Sequence, residues 1–282
     1  MEPILKWAGG KRLLLPELIK YIDFDELNRS QKKLYEPFVG GGALSFTCEY
    51  KKSVLNDIND ELMNVYKQIK HNSRDLIYNL ECLYSEFNLD RSFYYEIRSL
   101  DRKPNIYTTL TPSQRAARII FLNKTCYNGL YRVNSNGEFN VPIGTNQTVG
   151  FTYEDKINAL HNYLYDNDIL LKNEDFEVSV SDASFGDVVY FDPPYDYEPS
   201  GFTSYNKYGF KKEDTIRLKK LCDILIQKGC KVIISNNDTA FINNVFSCAD
   251  YKIQHINAHR FINRNGNSRN NAKEVIIYGS KE

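Results

Sequence analysis

The sequence predicts an α/β fold: an open, mostly parallel sheet of seven strands, interrupted by a helical insertion. Three observations predict it. Val188-Val189-Tyr190-Phe191 is an unbroken apolar run, as expected of a strand buried on both faces. Short apolar runs elsewhere alternate with helical periodicity, the rhythm of parallel strands joined by crossover helices. Between about residues 59 and 126 that rhythm stops, and almost everything reads as helix.

Composition sets the frame. The chain has 282 residues, 42% of them hydrophobic and 26% charged, which suits a globular protein of one large domain or one domain with an insertion. No run of eighteen apolar residues and no signal-peptide pattern occurs, so a cytoplasmic protein without membrane association is expected. Cys48, Cys82, Cys126, Cys222, Cys230 and Cys248 have no short ligand spacing and read as reduced core thiols. The four histidines form no HExxH pattern, so no metal site is expected. Balanced charge, 36 basic against 36 acidic residues, excludes nucleic-acid binding driven by bulk charge. A local basic face remains open: from His259 to Lys273 there are three arginines, one lysine and no acid.

In chain order, Lys6-Trp7-Ala8-Gly9-Gly10-Lys11 comes first, its glycines allowing close backbone approach to a ligand. A helix with Pro16 in its first turn follows, turning Leu18, Ile19 and Ile22 inward. Leu34 to Val39 reads as a short strand running into Gly40-Gly41-Gly42, then an apolar helix. A second strand, Val54-Leu55-Asn56, ends in Asp57, 17 residues beyond Gly40. In dinucleotide-binding folds an acid at comparable spacing takes ribose hydroxyls. As an alternative, Asp57 serves the N-terminus of the helix carrying Leu62, Val65, Tyr66 and Ile69.

Within the insertion, Leu76, Ile77, Leu80, Leu83, Tyr84 and Phe87 recur at helical spacing, as do Phe93, Ile97 and Leu100. Thr111-Pro112-Ser113-Gln114 is a helix start with a capping box. The segment closes on residues 123–144, with Asn-Gly turns at 128 and 136 and a hairpin pattern. Arginine and asparagine there suit base edges, although a polar hairpin explains the same composition.

A helix capped near Thr152 buries Ile157, Leu160, Tyr163 and Leu164, and the strand Ile169-Leu170-Leu171 leads to Asp175-Phe176. That acid and aromatic suit the two sides of an adenine ring. The central run then ends in Asp192-Pro193-Pro194-Tyr195. The prolines cannot extend the ladder, so Asp192 and Tyr195 fall at the carboxyl end of a central strand, where open α/β sheets bind ligands. Two acceptors beside a flat ring can hold an exocyclic amine, while a bare turn uses the same residues. Phe202 to Asn206 reads as a lid. A helix over 213–228 buries Ile216, Leu221, Ile224 and Leu225 and stops at Gly229. Lys231 to Asn237, Tyr251 to Ile256 and Glu274 to Tyr278 complete seven strands.

Taken together, Lys6-Trp7-Ala8-Gly9-Gly10-Lys11, Phe38-Val39-Gly40-Gly41-Gly42, Asn56-Asp57-Ile58-Asn59, Tyr127-Asn128-Gly129-Leu130 with Arg132, Gly137 to Gly144, and Asp192-Pro193-Pro194-Tyr195 resemble the DNA adenine-N6 methyltransferases of the Dam family. The resemblance spans nearly the whole chain. It implies a Rossmann-like methyltransferase sheet with an inserted helical target-recognition lobe: residues 1–58 and 145–282 catalytic, 59–144 reading DNA. It implies S-adenosylmethionine as methyl donor, contacted by Trp7, Ala8, Gly9, Gly10, Lys11, Phe38, Gly40, Asp57, Asp175, Phe176 and Asp192. It implies catalysis by Asp192, Pro193 and Tyr195. It also implies contact with double-stranded DNA by Lys6, Tyr127, Asn128, Leu130, Arg132, Asn140 and Pro142, typically at adenine in GATC. Asn146 to Phe151 and the tail beyond Arg260 fit no strict family pattern. The expected protein is a monomer, either solitary or functionally paired with a restriction endonuclease. Related chemistry on RNA, protein glutamine or cytosine N4 stays open at this stage, as does a catalytically silent DNA-binding module.

Overall fold

The structure, a computed structural model, describes residues 1–7, 14–145, 153–196, 210–258 and 272–281. Ala8, Gly9, Gly10 and Lys11, the expected cap at Thr152, the stretch from 146, the expected lid at Phe202 to Asn206 and most of the basic stretch from His259 lie outside the described residues.

Helices α1 (Leu15–Ile19) and α2 (Phe24–Ser30) precede β1 (Leu34–Glu36), and α3 (Ala43–Cys48) leads to β2 (Lys52–Asn56). The helical segment follows: α4 (Asp60–His71), α5 (Ser73–Leu89), α6 (Phe93–Arg98), a 3-10 turn (Ser99–Arg102), α7 (Pro104–Tyr107) and α8 (Pro112–Thr125). After the hairpin over 126–144 come α9 (Glu154–Asp166), β3 (Asp168–Lys172), α10 (Phe176–Ser179) and β4 (Val188–Phe191). The chain continues through α11 (Lys212–Gln227), β5 (Lys231–Asn237), α12 (Ala240–Val245), β6 (Tyr251–Ala258) and β7 (Ala272–Gly279).

The seven strands form one sheet in the order β3-β2-β1-β4-β5-β7-β6. Strands β1 to β5 pair in parallel, and β7 enters antiparallel between β5 and β6. The chain therefore winds outward from β1 to β3, returns, and winds the other way from β4. The join between β1 and β4 is the topological switch point, and the crevice beyond its carboxyl ends is where such sheets bind ligands. β4 is the middle strand, buried throughout.

Both faces are covered. Phe176, Leu218, Cys222, Ile242 and Phe246 pack on the side presented by Val189, Phe191, Val232 and Ile234. On the other side, Leu14, Leu18, Leu27 and Leu44 meet Leu34, Val188, Tyr190 and Ile233. A third apolar cluster begins at Val39, Phe46 and Leu55 by the sheet and continues without a break through α4, α5, α8 and α9 to Phe139 and Val141 of the hairpin. The helical segment thus shares its core with the sheet.

Local predictions hold where the signal is chemical. Thr111 and Gln114 form the capping box reciprocally, and Pro112 opens α8. They fail where one face of a helix had to be chosen. Ile19, Ile216 and Ile224 are exposed; α11 buries Leu225 as expected, but with Thr215, Leu218, Cys222 and Ile226, and Leu221 is only partly covered. Leu170 faces solvent on the edge strand β3. All six cysteines are free thiols, but Cys82 and Cys248 are exposed and Cys48 is half-buried, so the core reading holds only for Cys126, Cys222 and Cys230.

Candidate active site and nucleic-acid interface

The parallel pairing of β1 with β4, Tyr35 opposite Val189, carries Phe38 level with Asp192 beyond the strand ends. Chain turns that leave the two neighbouring strands therefore face each other across the switch point.

On the β1 side, Gly40 has φ +48, and a side chain there would meet the Trp7 ring at 2.9 Å. Only glycine lets the turn approach Trp7 so closely. The turn is held in turn by Asp57: its Oδ2 accepts the Gly40 N–H at 3.1 Å and its Oδ1 the Asn59 N–H at 3.0 Å. The cap of α4 is Asn59, which accepts the Leu62 N–H, so Asp57 looks back to the glycines. Burial pushes the Asp57 carboxyl up to about 6, against the pull of those backbone donors. Tyr66 donates to the Gly40 carbonyl at 2.7 Å. Phe38 stacks on Phe176 with centroids 5.4 Å apart, and Phe191 and Phe210 close around it edge-on. Asp175 caps α10 through Glu177 and pairs with Arg217 at 3.1 Å, while the same guanidinium lies 4.9 Å over the Phe176 ring.

On the β4 side, Ser235 of β5 donates to Asp192 Oδ1 at 2.8 Å, and the Tyr190 hydroxyl lies 2.9 Å from the same serine oxygen. The residue after the tetrapeptide, Asp196, ties it to β5. Its N–H reaches Asn236 at 3.0 Å, its carbonyl accepts from Asn237 at 2.6 Å, and its carboxylate accepts from Thr239 at 2.8 Å. Beneath the rim, Glu36 is 3% exposed and accepts from the Ser45 N–H at 2.9 Å and from the Ser45 hydroxyl. Burial chiefly, and the charge of Asp192 secondarily, push its carboxyl up to about 7. Sequence reading gave no role to Glu36, Ser235 or Asp196. The run Ser235-Asn236-Asn237 closing a buried strand was the available signal.

The other expected contacts lie on the hairpin. Asn128 (φ 57) and Gly129 (φ +66) are both left-handed, as a type I′ turn requires, and Leu130 N–H returns to the Tyr127 carbonyl at 3.3 Å. Asn134 closes the second turn, its side chain accepting from Asn136 and Glu138 at 3.0 Å. Bridges Cys126–Ile143 and Val133–Phe139 hold the two arms. Tyr127, Asn128 and Pro142 are exposed, while Leu130, Arg132 and Asn140 are half-buried. Asn140 is more than a neighbour: its Oδ1 accepts from Arg132 Nε at 2.7 Å and fixes the guanidinium. Lys6 is exposed and runs alongside Gly129. Trp7 stacks on Tyr131 at 4.6 Å, joining the two regions.

Thus Trp7, Phe38, Gly40, Asp57 and Phe176 gather on one side of the switch point, with Asp175 beside Phe176. Asp192, Pro193 and Tyr195 leave β4 on the other. Lys6 and the hairpin residues form a separate group. Over nearly its whole length the chain is similar to known DNA methyltransferases. Residues 7–262 match the family of D12 class N6 adenine-specific DNA methyltransferases. The chain is 39% identical to the type II methyltransferase M1.LlaDCHI of Lactococcus lactis subsp. cremoris, over 99% of this chain and 96% of that protein. It is 38% identical to the type II methyltransferase M.MjaIII of Methanocaldococcus jannaschii, over 95% of each. Identity to the DNA adenine methylase of Haemophilus influenzae is 31%, over 100% of this chain and 95% of that one.

Proposed function

Because the chain belongs to the D12 class of N6 adenine-specific DNA methyltransferases, we propose that it methylates a flipped adenine within GATC in duplex DNA, using S-adenosylmethionine. One observation carries the reading: the Asp192 turn stands across the switch point from the glycine turn that Asp57 and Trp7 hold.

The residues beside β1 fit the methyl donor. Gly40 supplies bare backbone, Asp57 an acid suited to ribose hydroxyls, and Phe38 with Phe176 apolar walls for an adenine. Trp7, the Ala8-Gly9-Gly10-Lys11 stretch, Asp175 and Asp192 complete the set. S-adenosylmethionine, when bound, supplies a methyl already activated by its sulfonium.

The adenine amine is hidden inside a duplex, so the base must leave the stack, at a cost of a few kcal/mol. In this reading Tyr195 stacks on the extruded ring, and the Asp192 carboxylate and Pro193 carbonyl accept the two N6 hydrogens. The nitrogen lone pair then turns out of the ring plane. Positioning supplies most of the rate. Ser235 keeps the carboxylate oriented, and Asp196 anchors the turn that carries it.

We assign 1–58 and 145–282 to catalysis and 59–144 to target recognition, the latter sharing its core with the sheet. Tyr127, Asn128, Leu130 and Pro142 meet the duplex with Lys6, Arg132 reads a guanine, and Asn140 aims it. The type II names among the relatives favour a partner endonuclease over a solitary role. Among the described residues no helix is long and apolar enough to cross a membrane.

Methylation of unmodified genomic DNA, followed by sequence-resolved mapping of methyladenine, tests the whole reading. Modification confined to GATC is expected. Modification at another motif overturns the site, and none on DNA overturns the function.

A further inference from the structure

We propose that Asn123 is a positioning residue for sequence discrimination: it locks the backbone of Lys6 to the 127–132 loop, so that lysine and loop meet DNA as one rigid unit. The inference rests on the reading that Lys6 and this loop contact the target.

Asn123 lies near the end of α8 and is 1% exposed. Its side-chain oxygen accepts the Lys6 N–H at 2.9 Å. Its side-chain nitrogen donates to the Lys6 carbonyl at 2.8 Å and to the Gly129 carbonyl at 3.0 Å. One amide thus satisfies both backbone groups of Lys6, as an adjacent strand would, and spends its second donor on the loop. The joint spans 117 residues of sequence, so chain connectivity does nothing to maintain it.

Two further contacts close the same joint. A Cβ on Gly129 would lie 2.5 Å from Lys6 Cδ, so the loop backbone rests on the lysine stem. The next residue, Trp7, stacks on Tyr131 at an interplanar angle of 23°. Asn123 itself is too buried to touch a nucleic acid. Its influence must pass through Lys6 and Gly129, and it falls on which base pairs are accepted rather than on methyl transfer.

The test compares methylation rates on a duplex bearing the mapped site with rates on duplexes altered at one base pair. N123A is expected to keep the wild-type circular-dichroism spectrum and, within about twofold, the affinity for S-adenosylmethionine. Its ratio of cognate to altered rates should fall about tenfold, within the range lost with one good base contact. N123D keeps the acceptor for Lys6 and loses both donors, so it should lose discrimination too; it carries the same test if N123A does not fold. The K6A/N123A double variant should lose less than the product of the two single effects. A folded variant with unchanged ratios, or with rates lowered by one common factor on every duplex, overturns the proposal. K6A and R132A separate the two levels. If both leave discrimination intact, the assignment of the reader falls. If they relax it and N123A does not, only the role of Asn123 falls.

Discussion

The rim of the sheet and the hairpin are held in place by different means. At the rim, backbone ladders do the work: β4 is paired along its length with β5 and also with β1, and Asp192 follows directly from that strand. The hairpin has no regular ladder: two isolated bridges and a few backbone bonds, such as Tyr127 N–H to the Pro142 carbonyl at 2.9 Å and Asn140 N–H to the Arg132 carbonyl at 3.1 Å, join its arms. Side chains of the helical segment hold it as well. Arg102 donates to the Phe139 carbonyl at 2.7 Å, Tyr94 to the Val141 carbonyl at 2.8 Å, and Asp101 accepts the Phe139 N–H at 2.8 Å. Arg118, 2% exposed, holds Asp101 at 2.8 Å. In the proposed reading, group transfer depends on fixed distances, which ladders supply, and target recognition depends on exposed loop residues such as Tyr127 and Asn128, which the side-chain supports hold in place. The difference teaches that damage at the rim should appear as lost rate, and damage to the supports as lost selectivity.

The largest effect should come from Asp192→Ala. The carboxylate accepts from Ser235 just beyond the end of β4, outside the apolar clusters, and the variant is expected to match the wild-type circular-dichroism spectrum. Turnover should fall at least a thousandfold, about 4 kcal/mol of barrier. Near-normal turnover by a folded variant would remove the rim from the chemistry and leave the comparison with one side.

Asp101→Ala attacks the supports of the hairpin. It strands the buried Arg118 guanidinium, whose other contacts among the described residues include the Ile97 and Arg98 carbonyls, and frees the Phe139 N–H. Breaking a buried pair this way costs about 3–5 kcal/mol of stability. Chemical denaturation at neutral pH would measure that loss. In the same protein, binding of S-adenosylmethionine should stay within about twofold while the cognate-to-altered rate ratio falls about tenfold. Equal loss of both would show that rim and hairpin are not separable.

This contrast also explains what the sequence discloses. The proline corner at 193 and 194, the glycines at 40–42 and the Thr111 capping box are written locally, in residue types that permit only a few conformations. The order β3-β2-β1-β4-β5-β7-β6 is not, because pairing of β1 with β4 joins segments about 150 residues apart and leaves no local mark. These side-chain supports are invisible for the same reason: Asp101, Arg102 and Arg118 carry no local signature until packing brings them together beside the hairpin. That the candidate residues stand at strand ends was therefore legible. Ser235, which bonds Asp192, Asn123, which bonds Lys6 and Gly129, and Glu36, buried beneath the rim, were not. Ile216 and Ile224 went wrong because an apolar residue beside the buried stripe of a helix looks the same in sequence as one within it.

The smallest effect, and the one that returns to the rim, is the pH dependence of Glu36. Its buried carboxyl ionises near pH 7 in the fold and near 4.5 in the unfolded chain. A raised folded value means that the folded state binds the proton more tightly. The stabilisation is complete below about pH 4.5 and is lost as pH rises through about 7. Glu36→Gln keeps acceptors for the two Ser45 donors and cannot titrate. The stability of the wild type relative to this variant should therefore fall by roughly 3 kcal/mol between those limits and stay level above them. Urea unfolding of both proteins at half-unit steps from pH 4.5 to 8 measures it. Asp57, raised to about 6, gives both proteins a shared slope that cancels in the difference. A flat difference would mean that the Glu36 carboxyl is ionised in the fold across this range, as it is in the unfolded chain. The rim would then owe its order to the ladders alone, with no acid beneath the Asp192 turn responding to pH.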